Sequence, residues 1–289
     1  MSKNHLSGLE SDGYLLPRDH SESLRLTAQH YVFTQRTGWL LHPTVQKHCQ
    51  TISNPAIADV ACGNGIWALQ VADKYPALQV TALDVSKTAF PKQDTWPENC
   101  VFEQLDLLQS PPEPYQARFD VVHVRMLLSA SSEVDPKVWV KNLQAMLKPG
   151  GYLQWEDLRW PWLHIADLSG GRFSQKGDWG VVDRLAQVAS VQRKTEWFDD
   201  FETVINEVAG WKGTEKFDAP TKKHLLEIET WCIMQACSNG IEGILAGGQI
   251  KDQELVQGLR QNAEKLRSDA QEGVLRTMNF AIRVAQRSD

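Results

Sequence analysis

The chain is 289 residues long, 42% hydrophobic and 23% charged, with a net charge of −6 at neutral pH. That length and balance fit one large globular domain or two small ones, each able to bury a core. The negative charge argues against a nucleic-acid backbone as ligand, which needs clustered Lys and Arg; the pairs Arg193-Lys194 and Lys222-Lys223 read as solvated helix faces.

Residues 1–13 are polar and read as a loose tail, without the apolar run of a signal peptide. Asp19 and Glu22 form a capping pair for a helix over about 20–37 that Gly38 ends, within a helical cap over 14–50. Ala56 to Val60 is short, apolar and strand-like. Gly63 and Gly65 then make a turn too tight for side chains, and Ile66 to Lys74 has helical spacing that Pro76 stops. Further strand ends fall at Leu83-Asp84-Val85 and Leu105-Asp106-Leu107, and the proline-rich stretch 110–115 reads as a loop. Phe119 to Leu128 reads as a fourth strand and its exit, and Leu147 to Trp155 as a helix end, a Pro-Gly-Gly turn and a fifth strand. Strand ends near 60, 83, 104, 124 and 156 alternate with helices, which predicts an α/β fold around a parallel sheet.

Past 157 the rhythm breaks. An elaboration over 158–198 carries Trp160, Trp162, Trp179 and Ser169-Gly170-Gly171, with helices expected over 178–194 and 198–209. Lys212 to Phe217 is the expected sixth strand. A second elaboration, 221–273, holds one helix marked by Ile228, Cys232, Gln235 and Ala236 and ending near Gly240. Another is marked by Leu255, Leu259, Ala263 and Leu266. The last strand, about 276–286, alternates enough for an antiparallel edge. The two elaborations are expected to roof a site at the carboxyl end of the sheet, so that 14–289 forms one domain with a lid.

Three strand ends deliver Asp59, Asp84 and Asp106 into one crevice, where ligands of doubly wound sheets bind. Two cofactors compete for it. A dinucleotide needs little negative charge near its pyrophosphate, and Gly63-x-Gly65-x-x-Ala68 is a permitted variant of its fingerprint. S-adenosylmethionine instead presents an ammonium, a ribose diol and an adenine amine, all donors. Asp59 is placed to accept from the ammonium, Asp84 from the ribose and Asp106 from the adenine, so these carboxylates favour it. Five cysteines contain no Cys-x-x-Cys pair, so free thiols in a reducing compartment and no zinc site are expected. No stretch approaches the ~18 apolar residues of a membrane helix. A soluble, cytoplasmic protein is expected.

The turn, the fourth strand and the Leu147-Lys148-Pro149-Gly150-Gly151 turn together resemble the class I S-adenosylmethionine-dependent methyltransferases. A narrower resemblance is to their fungal branch associated with secondary-metabolite clusters, which includes regulator-like members. It rests on Tyr14-x-Leu16-Pro17-x-Asp19 with Glu22-x-x-Arg25-Leu26-x-x-Gln29-His30, on Gly65-Ile66-Trp67-Ala68, and on His123-x-Arg125-Met126-Leu127. It is close over about 14–157. The resemblance implies a doubly wound, mostly parallel, seven-stranded Rossmann-like sheet and S-adenosyl-L-methionine as cofactor. It places Ala61, Gly63, Asn64, Gly65, Val85 and Leu107 beside the three carboxylates in the cofactor site, with the first helix above and Tyr14, Arg25 or His30 in contact. Ala61 stands where the family usually has Gly, and its methyl is expected to be tolerable if the residue keeps strand geometry.

Methyl transfer from a sulfonium is an in-line displacement, and a general base is needed only for an acceptor that is protonated near neutral pH. Asp157, just past the fifth strand, and His123, inside the fourth, are the candidates; Glu156 points opposite to Asp157 if the strand continues. Arg125 could bind the methionine carboxylate. Trp155, Trp160, Trp162 and Trp231, among eleven tryptophans, together with His30 would wall an acceptor pocket suited to a small aromatic metabolite. The expected function is methylation of O, N or S of such a metabolite. The alternatives are a methyltransferase-fold regulator that binds partners, or a rearrangement enzyme that keeps the cofactor.

Overall fold

The computed structural model describes residues 14, 16–128, 134–168, 174–177, 196–246 and 253–289. The strands are β1 (Ala56–Val60), β2 (Gln79–Asp84), β3 (Cys100–Gln104), β4 (Phe119–Arg125), β5 (Leu147–Asp167), β6 (Ser174–Gly177), β7 (Trp211–Asp218) and β8 (Arg276–Arg287). Seven run in the order β3-β2-β1-β4-β5-β8-β7, and β6 pairs with β5 beside that path. The first five are parallel, and β8 is antiparallel to both its neighbours. Strand order reverses between β1 and β4, the switch point at which such sheets bind ligands.

The helices are α1 (His20–Thr37), α2 (Pro43–Cys49), α3 (Ile66–Lys74), α4 (Pro136–Met146), α5 (Phe201–Glu207), α6 (Leu226–Ala246) and α7 (Gln253–Gln271). Asp19 Oδ1 accepts from the Glu22 backbone N–H at 2.9 Å to start α1, and Gly38 at φ +81° ends it. Strand alternation sorts two cores. Ile57, Val121 and Phe280 pack with Phe33 of α1 and Trp67 of α3, whereas Ala58, Val122 and Trp155 pack with Leu143 of α4 and Phe201 of α5. Helix α6 lies against α1 and β8: Arg36 donates to Glu229 at 2.7 Å, and Glu229 accepts the Met278 N–H at 2.7 Å. Arg36 also donates to Met278 O and Ala219 O and Thr277 donates to Glu229, which compensates most of the cost of burying this pair, while Arg36 Nε and Glu229 Oε2 have no partner among the described residues.

Four expectations change. Strand β8 is not an edge, because it is buried between β5 and β7; the edges of the path are β3 and β7. Strand β5 continues to Asp167, pairing with β8 on both sides of a register shift between Leu158 and Leu163, so 158–167 is strand rather than lid. Helix α6 runs past Gly240, where an added Cβ would meet nothing closer than Leu16 at 3.7 Å. The helix expected over 178–194, with Trp179, lies outside the described residues; the one expected over 198–209 is α5.

The fourth concerns Ala61. It does not keep strand geometry: its φ is +57°, the left-handed region that disfavours a Cβ. Ala61→Gly should therefore raise the unfolding free energy by about 0.5–1 kcal/mol, the relieved strain outweighing the added chain entropy. Urea denaturation of both proteins checks this, with an unchanged or lower midpoint as the contrary result.

Candidate active site

A cavity of about 340 Å³ opens at the carboxyl ends of β1, β2 and β4, beneath α1. Its floor begins with the turn after β1. Ala61, Gly63 and Gly65 all have positive φ, and the Cys62 N–H donates to Leu83 O at 3.0 Å, tying the turn to β2. An added Cβ on Gly65 would fall 2.1 Å from the Phe102 ring, so Gly65 serves close packing and does not itself line the cavity. Asp84 lines the cavity and accepts from the Gly63 N–H at 2.8 Å and the Ser86 N–H at 3.0 Å; burial raises its pKa against those hydrogen bonds. Asp106 accepts from the Leu108 N–H at 2.9 Å.

The other half of the floor is a buried ionic row set by sheet register. Asp59 of β1 lies beside His123 of β4, and Arg125 lies beside Glu156 of β5. His123 Nδ1 is 2.7 Å from Asp59 Oδ1, its Nε2 is 3.6 Å from Glu156 Oε1, and its ring stacks on Trp67 at 3.6 Å between centroids. Burial alone would lower the His123 pKa, but the flanking Asp59 and Glu156 raise it above the ordinary value. Burial likewise works against the Glu156 carboxylate, and His123 and Arg125 overcome it and lower its pKa. Arg125 Nη2 is 3.0 Å from His30 Nδ1, and His30 Nε2 is 2.6 Å from Gln70 Oε1. Burial, aided by Arg125, pushes His30 down to about 4, so the ring is neutral at pH 7; it accepts from Arg125 and donates to Gln70.

Helix α1 is the roof. Tyr14, Arg18, Glu22 and Gln29 line the cavity from this side, and Asn64 Nδ2 donates to Ser23 O at 3.0 Å, fastening the turn to the helix. Glu22 is held by Arg25 at 2.6 Å and by Asn239 of α6 at 3.1 Å. Burial and the neighbouring Glu22 push the Tyr14 phenol up to about 12.

Twelve expected residues line this cavity: Tyr14, His30, Asp59, Ala61, Gly63, Asn64, Asp84, Val85, Asp106, Leu107, His123 and Arg125. Others stand elsewhere. Arg25 lies behind Glu22 and acts through it. Asp157 points to the opposite face of β5, where it accepts from the Leu128 N–H at 3.0 Å and from Trp155 Nε1 at 3.1 Å, and burial raises it to about 6. It cannot meet an acceptor there. Trp155 is fully buried among Trp197, Phe198 and Phe201. Trp160 and Trp162 pack edge to face, 5.7 Å apart, and Trp231 is exposed on α6; none of the four lines the cavity. None of the described residues of 158–198 or 221–273 does so either, because α1 occupies the roof assigned to them. Sequence reasoning missed Glu22 and Gln29 as cavity residues. Their spacing with Arg25, i, i+3 and i+7, is the signal of one helix face.

Among the described residues no helix is long and apolar enough to cross a membrane, and no cluster could hold a metal ion. Residues 57–151 match the family described as a methyltransferase domain. The chain is 36% identical over 176 residues to the methyltransferase grgD of a Penicillium species, a match covering 55% of this chain and 59% of that one. It is 31% identical over 146 residues to the N-methyltransferase sirN of Leptosphaeria maculans, covering 50% of each. It is 34% identical over 140 residues to the secondary metabolism regulator LAE1 of Cochliobolus heterostrophus, covering 47% of this chain and 43% of that one. The chain thus spans about half the length of the curated relatives it matches. Among solved structures, the Haemonchus contortus phosphoethanolamine N-methyltransferase 2 in complex with S-adenosyl-L-methionine shares the fold. Its TM-score is 0.53 at 16% identity, over 98% of this chain and 61% of that one.

Residues 57–151 thus carry a methyltransferase domain, built on the sheet ordered β3-β2-β1-β4-β5-β8-β7. About half of the chain is similar to these two fungal methyltransferases and to a fungal secondary metabolism regulator.

A neutral buried His30 gives a pH dependence with a definite sign. Its folded pKa lies below the unfolded value, so its contribution is complete above about pH 6.5 and is lost as pH falls towards about 4. The loss should amount to roughly 3 kcal/mol at most. His30→Gln should flatten that part of the stability profile measured by urea denaturation between pH 7 and 4; an unchanged profile would show that His30 is already charged in the fold.

Proposed function

We propose that the protein binds S-adenosylmethionine in this cavity and transfers its methyl group to a nucleophilic atom of a small molecule. The observation that carries the reading is the convergence of Asp59, Asp84 and Asp106 on one cavity beside a turn of three positive-φ residues. Asp59 Oδ2 is buried and has no hydrogen-bond partner among the described residues, an acceptor suited to an ammonium and hostile to a pyrophosphate. The carboxylates therefore support S-adenosylmethionine over a dinucleotide.

When bound, the cofactor supplies a methyl group already activated on a sulfonium. The chain's own part is to orient and to exclude water. Asp84 is fixed by two backbone amides, Asp59 by His123, and α1 is fastened over the cavity by Asn64. Such alignment is worth ~7–11 kcal/mol of barrier relative to dilute collision. Arg125, held by His30 and near Glu156, is the cation suited to the methionine carboxylate. The rings expected to favour a flat acceptor lie outside the cavity, so the proposal extends to a small metabolite methylated on O, N or S, without an aromatic preference. A small-molecule partner also fits the acidic balance of the chain.

A second reading is a methyltransferase-fold regulator that docks partners, favoured by the match to the Cochliobolus heterostrophus regulator. Incubating the protein with methyl-labelled S-adenosylmethionine and a fungal metabolite extract, followed by mass spectrometry, separates the two. Label in a small molecule is expected; bound cofactor with no label moved would favour the regulator. By calorimetry Asp84→Ala should weaken S-adenosylmethionine binding at least about tenfold, the loss of charge-assisted hydrogen bonds. An unchanged Kd would overturn the site map.

A further inference from the structure

On the cavity floor His123 stands between two carboxylates. Asp59 approaches its Nδ1 at 2.7 Å from β1, and Glu156 approaches its Nε2 at 3.6 Å from β5. The contact with Asp59 is a hydrogen bond, whereas Nε2 makes none and meets Glu156 across an ion-pair distance, so both carboxylates favour the imidazolium, which alone carries an N–H towards each. The remaining neighbours are accounted for. Trp67 of α3 covers the ring face, Arg125 lies near Glu156 at 3.9 Å, and His30 of α1 accepts from Arg125. Cys62, in the turn beside Asp59, is a thiol that burial keeps protonated. With the His123 ring protonated, the row holds two carboxylates, Asp59 and Glu156, against two cations, His123 and Arg125, and is neutral. Removal of the His123 proton to solvent leaves it one negative charge.

S-adenosylmethionine and its demethylated product carry the same amino acid and adenosine. They differ by one methyl group and one positive charge on sulfur. A neutral floor gains nothing from that charge, whereas a floor of net −1 attracts the sulfonium and ignores the thioether. We propose that His123 is the specificity-determining residue for cofactor against product: its imidazolium holds Asp59 in place while cancelling the charge that would otherwise over-bind the sulfonium. The proposal rests on the cofactor reading given above. It assigns His123 an electrostatic role and none as a base, because its Nδ1 is committed to Asp59 and Trp67 covers one face of its ring.

The test is calorimetric binding of S-adenosylmethionine and S-adenosylhomocysteine from about pH 6 to about pH 9, a span around and above the ordinary histidine pKa. In the wild-type protein the ratio of product Kd to cofactor Kd should rise about tenfold as the ring loses its proton, the size expected for one charge acting across several ångströms of protein. His123→Asn keeps a donor towards Asp59 but cannot hold a charge. It should show the high-pH ratio at every pH, with any residual slope arising from the ligands' own amino groups. Nitrogen-15 NMR of the histidine rings gives the midpoint in the wild-type protein. Glu156→Gln, which removes one flanking carboxylate, should move that midpoint down and provides the comparison if His123→Asn does not fold. A wild-type ratio that is flat across the ring's titration, an equal slope in His123→Asn, or a ring neutral throughout would each overturn the proposal. Failure of both ligands to bind the wild-type protein would instead overturn the cofactor reading beneath it.

Discussion

The hydrogen bond between Asp59 and His123 joins β1 to β4 at the place where strand order reverses. A carboxylate buried to this degree is tolerable only beside a compensating charge or several donors. The register of the parallel sheet supplies that compensation sideways. Asp59 faces its partner on β4, and the alternation of β4 then puts Arg125 on the same face two residues later, beside Glu156. Each charge in the row is held by the next. The cavity is therefore polar at its floor, and its carboxylates are oriented before any ligand arrives.

Rigidity in the floor is matched by rigidity above it. Helix α1 carries Glu22, Arg25 and Gln29 on one face, an unusual burial of polar length for a helix that also contributes Phe33 to the core. These side chains satisfy one another, since Arg25 donates to both Glu22 and Gln29. Helix α1 is also gripped by α6, through Asn239 to Glu22 and through Arg36 to Glu229. The long insertion after β7 thus supports the roof from behind and does not form it. Opening the cavity by moving α1 would break buried charged contacts at both ends of that helix, each worth more than a neutral hydrogen bond.

Much of this was legible in the sequence. The first four strands, α1 with both its caps, α3 and the three carboxylates follow from short-range signals: periodicity, capping residues and glycine turns. What failed depends on contacts far along the chain. That β8 inserts between β5 and β7 is a choice of pairing, and the alternation of Met278 to Val284 fits an edge or an interior strand equally. The length of β5 is set by its partner β8, which continues beside it past Leu163. The tryptophans misled for a related reason. An aromatic ring seals a core as well as it walls a pocket, and composition does not distinguish the two.

The misplacement of Asp157 has a sharper cause. Glu156 and Asp157 are adjacent on one strand, so they face opposite ways, and the issue was which faces the ligand. The answer was already contained in β1 and β4. Ile57 and Asp59 share a face, as do Val121, His123 and Arg125, and in register Arg125 lies beside Glu156. Placing Asp59 in the cavity thus places Glu156 on the cavity face and turns Asp157 into the α4–α5 layer. There its two oxygens satisfy the backbone N–H groups of Leu128 and Leu158 and the indole of Trp155. A carboxylate so engaged fixes the exit of β4 against β5. Its burial raises its pKa because the same layer that excludes ligand also excludes water, and a raised pKa at a buried carboxylate is therefore no sign, by itself, of an acid or base in contact with substrate.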